Sequence, residues 1–146
     1  MNYTVDASVF VAAVRAAEPH NAVSKQFLKH LRRCHVDIFC PSLVLPESSA
    51  AIARRTGRIA LAARTVSIIT NFPNLQFIPL TLSLAQRAAQ IASDCRVRGA
   101  DAVYIATAEG SSATLITWDG EVLTRGASII AVITPADWLA SQQATT

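Results

Sequence analysis

Cysteine is scarce in this sequence: Cys34, Cys40 and Cys95 are an odd set with no paired spacing, which excludes a disulfide framework and a CxxC metal site and leaves buried or half-buried thiols. Aromatic residues make up only 6% of the chain. No apolar run approaches the roughly 18 residues that a membrane-spanning helix needs. The opening MNYTVD lacks the basic-then-apolar layout of a signal peptide, so no membrane association and a cytoplasmic location are the expectation. Glycine-rich phosphate loops are missing as well. Neither a GxGxxG after a strand nor a GxxxxGK[ST] occurs, which excludes the common nucleotide-binding folds. There is no internal repeat and no low-complexity linker, so residues 1–140 are expected to form one domain, followed by a disordered polar tail over 141–146.

What is present is an apolar chain, 51% hydrophobic over 146 residues, long enough for one domain with a real core. Its patterning alternates between two periods. Asn2 to Asp6, Asp37 to Cys40, Gln76 to Leu80, Ala113 to Thr117 and Ser128 to Ile133 read as short strands. Between them lie helical stretches: Ala7 to Ala16; an amphipathic helix from His20 with Val23, Phe27, Leu28 and Leu31 on one face; Pro41 to Thr56, closed by Gly57; Arg58 to Asn71; Leu82 to Arg96; and Gly99 to Gly110. Thr134-Pro135-Ala136-Asp137 starts a last, short helix with a cap, a proline and a first-turn acid. Strands alternating with helices predict a parallel sheet covered on both faces, with ligands at the carboxyl ends of its strands.

Four acids stand in unusual places. Asp6 ends the first strand and Asp119 follows Leu115-Ile116-Thr117 by one residue, so both sit at strand ends, although a helix cap at Asp6 or a turn at Asp119-Gly120 accounts for either alone. Glu47 has Leu43, Val44, Ala50 and Ala51 as its helical neighbours, an apolar stripe on which a carboxylate needs a cation or a buried arginine. Asp101 lies in a segment that is apolar nearly all round, with Arg98 as the local cation; a helix-dipole role is the alternative. Carboxylates gathered in one crevice repel and raise one another's pKa unless a divalent cation neutralises them. Oxygen donors select Mg²⁺ or Mn²⁺, and the lack of His or Cys at ligand spacing disfavours zinc. The formal charge is +3, and setting these four aside leaves six acids against thirteen Lys and Arg, an acidic pit on a basic body that suits a polyanion.

Asp6-Ala7-Ser8 after a first strand, Glu47 in PSLVLPESSAAIARR, Asp101 in RGADAVYIATA and Asp119 in LITWDGEVL together resemble the PIN-domain family, and within it the VapC-type toxin ribonucleases of VapBC toxin-antitoxin pairs. The resemblance spans Tyr3 to about Ile133. It implies a three-layer α/β/α sandwich around a parallel sheet of four or five strands, and an endoribonuclease using one or two Mg²⁺ or Mn²⁺ held by Asp6, Glu47, Asp101 and Asp119. By the same analogy Ser8 and Thr117 occupy hydroxyl positions that orient acids and water, and Glu121 stands where many relatives carry a further acid. The implied partners are RNA, a second copy of the chain in a homodimer, and a VapB-like antitoxin wrapping the helices from His20 to Arg33 and from Pro41 to Asn71. Trp118 departs from the family's polar or small residue; it either stacks on a base or packs on a neighbouring helix. Arg54, Arg55 and Arg58, beyond Glu47, meet phosphates, a partner protein or only solvent. Three other readings stay open or fall. A PIN-like nuclease of RNA processing or DNA repair, or a catalytically silent PIN fold acting as an interaction module, fits the same residues. A haloacid-dehalogenase-like phosphatase does not, because Ser8 stands where its second aspartate is required.

Overall fold

The computed structural model describes residues 1–145 and contains five strands, β1 (Asn2–Val5), β2 (Asp37–Pro41), β3 (Leu75–Ile78), β4 (Thr114–Ile116) and β5 (Val132–Ile133). All pair in parallel, in the order β3-β2-β1-β4-β5. Eight helices connect them: α1 (Ala7–Val14), α2 (Asn21–Leu31), α3 (Val44–Thr56), α4 (Ile59–Thr70), α5 (Leu82–Cys95), α6 (Gly99–Gly110), α7 (Gly120–Arg125) and α8 (Pro135–Ala144). The chain moves outward from β1 through β2 to β3 and then returns to the other side of β1. Right-handed crossovers therefore put α1 to α4 on one face and α5 and α6 on the other. The result is a three-layer α/β/α sandwich, as the resemblance implied, with five strands where four or five were expected.

The reversal of strand order falls between β1 and β4, and an open α/β sheet presents its crevice at such a point. Both strands are short and fully inward: Val5, Leu115 and Ile116 have no exposed surface. Above them lies α6, whose residues Ala102 to Ala108 are all buried, which is why this helix is apolar on every side. Trp138 of α8 closes the opposite layer, meeting Phe27 of α2 and Tyr3 of β1 edge-on with ring centroids 5.1 and 6.2 Å away.

Helix ends follow the local chemistry. Gly57, with φ of +67°, ends α3 in the left-handed conformation and returns its N–H to the Ala53 carbonyl at 2.9 Å. Thr134 and Asp137 cap α8 reciprocally, with Pro135 in the first turn. Other boundaries differ from the sequence reading. The strand expected over Ser128 to Ile133 is reduced to Val132–Ile133, because Gly126–Ser128 curls into a 3₁₀ turn that places Gly126 against the Ile105 side chain. Pro41, read as a helix start, is instead the last residue of β2 beside Ile78, and the rung there is made by the Ser42 N–H, which donates to the Ile78 carbonyl at 3.0 Å; α3 begins at Val44. The tail expected to be disordered from Ser141 is helical up to Ala144, its start fixed by the Thr134 cap, while Thr146 lies outside the described residues. All three cysteines are free; Cys40 is buried, and that burial pushes its thiol up to about 12. Among the described residues no helix is long and apolar enough to cross a membrane.

Candidate active site

A cleft of about 340 Å³ opens above the β1–β4 junction, and all four sequence-predicted carboxylates line it: Asp6 from the end of β1, Glu47 from α3, Asp101 from α6 and Asp119 at the start of α7. Ser8 lines it too, while Thr117 sits beneath with no exposed surface. Four distant segments of chain thus deliver acids to one place, because β1 and β4 are adjacent and α3 and α6 pass over the switch point from opposite layers.

The strand-end half of the site is tightly bonded. The Asp6 backbone N–H donates to the Ile116 carbonyl at 3.0 Å, continuing the β1–β4 ladder by one rung. Thr117 then uses its hydroxyl twice, donating to Asp6 Oδ2 at 2.9 Å and accepting the Asp119 N–H at 3.0 Å. Ser8 Oγ accepts the Trp118 N–H at 3.2 Å and lies 3.5 Å from the Thr117 hydroxyl. Asp6 occupies the N-cap position of α1 but its carboxylate makes no capping bond, so a capping role does not explain it. Asp119 does cap: its Oδ1 accepts the Glu121 and Val122 N–H groups at 2.9 and 3.2 Å. Thr117→Val is expected to cost about 1–3 kcal/mol, since both the Asp6 carboxylate and the Asp119 N–H lose their partner in a dry position. Urea denaturation checks this, with Thr117→Ser expected to recover most of the loss.

Two of the carboxylates, one from each half, are unsettled electrostatically. Burial, partly offset by the Ser8 and Thr117 hydroxyls and reinforced by the Asp101 charge, holds the Asp6 carboxyl above its ordinary range. Glu47 is raised in the same way, by burial first, softened by the nearby Tyr104 hydroxyl, and then by the charges of Asp6 and Asp101. Among the described residues the buried Glu47 Oε1 makes no hydrogen bond, nor does the buried Tyr104 hydroxyl close to it. A buried arginine, the alternative partner for Glu47, does not pair with it among the described residues. Asp101 and Asp119 are instead bridged by Arg98, whose Nε donates to Asp101 Oδ2 at 3.0 Å and whose Nη2 donates to Asp119 Oδ2 at 2.8 Å.

The donor set suits a hard dication. It consists of carboxylate oxygens only, with one buried oxygen left unpartnered and two carboxyls destabilised in their charged form. Among the described residues, no three His, Cys, Asp or Glu are drawn close enough to enclose one ion; two of the four carboxylates hold the Arg98 guanidinium. The cleft thus supplies oxygen donors of the kind a hard cation takes, without gathering three of them around one point.

Other residues named from the sequence take lesser places. Glu121 is exposed on α7, and its carboxylate faces Arg125 at 3.9 Å rather than the cleft. Arg55 lines the cleft and bonds Glu18 at 3.0 Å, Arg54 lies beside it along α3, and Arg58 is exposed beyond the helix end. Sequence reasoning missed Tyr104 of α6 near Glu47, Glu18 and His20 of the cleft lining, and the buried Ser24 that holds Trp118, because nothing in their spacing marks them.

The model of the PIN domain matches residues 3–127. Among solved structures, the chain is similar to VapC20 of Mycobacterium tuberculosis, described as a sarcin-ricin loop cleaving toxin, with 17% identity, a TM-score of 0.72, and 88% of this chain and 96% of that one covered. It is also similar to VapBC2 of Rickettsia felis, solved on a promoter DNA fragment, with 15% identity, a TM-score of 0.69 and coverage of 92% and 98%. PAE2754 of Pyrobaculum aerophilum gives 22% identity, a TM-score of 0.69 and coverage of 99% and 96%. Among curated proteins there is no match. With the family pattern running from β1 to α7 and through all four carboxylates, this chain belongs to the PIN domain family.

Proposed function

We propose that this protein is a Mg²⁺- or Mn²⁺-dependent endoribonuclease acting as the toxin of a toxin-antitoxin pair. The observation that carries the reading is the convergence of Asp6, Glu47, Asp101 and Asp119 on one cleft, with a buried Glu47 oxygen left without a hydrogen bond among the described residues. Clustered acids are tolerable at the mouth of a sheet only with a counter-cation, and a substrate that carries its own negative charge needs that cation all the more.

In this reading the four carboxylates hold the ion. A dication so held supplies charge stabilisation on the attacking and leaving oxygens of a phosphodiester and favours deprotonation of water. The protein's own groups do the positioning. Thr117 locks Asp6 to the Asp119 backbone, and α7 fixes Asp119 through two N–H groups. Arg55 and Arg98 at the cleft are placed to meet backbone phosphates, which need no sequence information. The neighbour from Mycobacterium tuberculosis is described as a sarcin-ricin loop cleaving toxin, and a further one from Klebsiella pneumoniae as a toxin-antitoxin complex, which supports a toxin reading and an antitoxin partner here. We extend the reading to a homodimer, to be checked by light scattering.

Cleavage of structured RNA on addition of Mg²⁺, absent in EDTA and lost in Asp6→Asn and Asp101→Asn, is the expected result. Equal cleavage by wild type and both variants would indicate a contaminating nuclease and overturn the assignment.

Arg98 gives a separate expectation. It is 70% exposed, so its two ion pairs are individually weak, yet it holds two oxygens the cation needs. Arg98→Gln is expected to tighten Mn²⁺ binding by about 2- to 30-fold in calorimetry, since two surface pairs are released and each contributes roughly 0.2–1 kcal/mol. Weaker Mn²⁺ binding in Arg98→Gln would show that the guanidinium helps to assemble the site rather than competing for it.

A further inference from the structure

Beside the carboxylates, the same cleft is lined by an aromatic pair whose presence the phosphodiester chemistry does not require. The Trp118 indole is fixed at two points before any ligand arrives. Its backbone N–H donates to Ser8 Oγ at 3.2 Å, and its Nε1–H donates to the hydroxyl of Ser24, a side chain with no exposed surface, at 2.8 Å. On this half-buried ring the His20 imidazole lies flat, with centroids 3.8 Å apart and planes inclined by 5°. The His20 backbone is held in turn, since its carbonyl accepts the Ser24 N–H at 2.9 Å as α2 begins. His20 itself is exposed. One face of the imidazole is therefore covered by the indole, and the residue keeps exposed surface within the cleft that Asp6, Asp101 and Asp119 also line.

Packing alone explains the indole, which closes the loop after β4 against α2. It does not explain a second, solvent-exposed ring laid parallel on the first at the mouth of an acidic cleft. Every nucleobase has a flat face that stacks on such a ring without a hydrogen-bond code, and only an unpaired base can reach it. The rigid indole underneath means that little freedom is lost when the third ring arrives.

We propose that the His20–Trp118 stack is a landing step for one unpaired nucleobase of the RNA, received on the outward face of His20 next to the phosphate held over the carboxylates. The inference rests on the ribonuclease reading above. It assigns this cleft a preference for looped or single-stranded RNA over a continuous duplex, with tolerance of base identity at that position. Trp118 acts as a positioning residue for His20, and neither takes part in the bond-breaking step.

The test uses the full chain carrying Asp6→Asn, in Mg²⁺, with a fluorescein-labelled RNA hairpin and a series in which one loop base at a time is replaced by an abasic ribose. Adding His20→Ala is expected to weaken binding about 5- to 100-fold, the usual loss for one stacked base, while His20→Phe keeps the parent affinity within a few-fold. One abasic position is expected to cost the His20 protein a similar factor and to cost the His20→Ala protein nothing, a coupling that a purely structural role would not produce. Equal binding by the two proteins, or an abasic penalty that survives His20→Ala, overturns the proposal. The two readings fail separately. If the wild-type protein leaves the hairpin uncut in Mg²⁺ while binding still depends on His20, the nuclease assignment falls and the landing step stands. If cutting depends on the carboxylates while binding ignores His20, the landing step falls alone, and absence of both cutting by the wild type and binding removes both.

Discussion

Asp6→Asn is expected to lower Mg²⁺-dependent RNA cleavage by about 100-fold or more, and at the same time to raise the melting temperature of the metal-free protein by a few degrees. The first effect follows from position. Removal of groups that only support metal ligands commonly costs about 10- to 100-fold, and Asp6 is placed as a ligand itself. The second follows from protonation. Burial holds the Asp6 carboxyl above its ordinary value, so in the metal-free state the folded chain binds that proton more tightly than the unfolded chain does. Below the ordinary carboxylate range both states keep the proton and there is no penalty. As pH rises through that range the unfolded chain releases it first, and the folded state loses stability until pH passes the raised folded value. Asparagine carries no such charge, yet its oxygen still accepts from Thr117. Melting curves across acid to neutral pH in EDTA should therefore separate progressively in favour of Asp6→Asn, and saturating Mg²⁺ should reverse the order. A wild type that is the more stable protein in EDTA at neutral pH would contradict the electrostatic account of the cleft, whatever the cleavage assay shows.

Trp138→Ala is expected to cost about 3–5 kcal/mol, the range for emptying a large aromatic site. The side chain is 2% exposed and is the contact by which α8 holds both α2 and β1. For a domain of this length the loss corresponds to roughly 10–15 °C in Tm. Trp138→Phe should cost much less, because the ring contacts persist and the indole N–H, buried without a partner, is removed. Calorimetry on the two variants checks the ordering; a Trp138→Ala protein melting within about 3 °C of wild type would mean that α8 contributes little to the core.

The sheet was legible because each strand sits between strong punctuation and each helix shows its period. Val23, Phe27, Leu28 and Leu31 announce the buried side of α2, and the apolar run around Asp101 announces the buried α6. The errors lie where tertiary contacts override local preference. Ser128 to Ala131 contains the strand-forming Ile129 and Ile130, but the close packing of Gly126 on Ile105 leaves room for a tight turn and only two paired residues. Pro41 suits a helix start on its own, and the ladder to β3 claims it.

In the site, the four acids were readable because a carboxylate at the end of a buried strand or on an apolar helix has no local reason to be there. Arg98 was visible as a neighbour of Asp101, but not as a bridge to Asp119, which lies 21 residues away and is brought near only by the β4–α7 turn. His20 and Ser24 carry no such mark: a histidine at a loop end and a serine in an amphipathic helix are ordinary until the fold sets Trp118 between them. Tertiary placement, rather than residue type, makes them part of the cleft.

The bonds around Thr117 have a consequence for how this scaffold can change. Asp6 and Asp119 are spaced by neighbouring strands, a short turn and one hydroxyl, whereas Glu47 and Asp101 ride on helices that belong to different layers. Insertions or altered packing in either layer would shift the second pair relative to the first and retune the grip on an ion, leaving the sheet-borne pair in register. The molecule thus has one fixed jaw and one adjustable jaw, and variation that retunes selectivity without dismantling the anchored half should accumulate on the adjustable side.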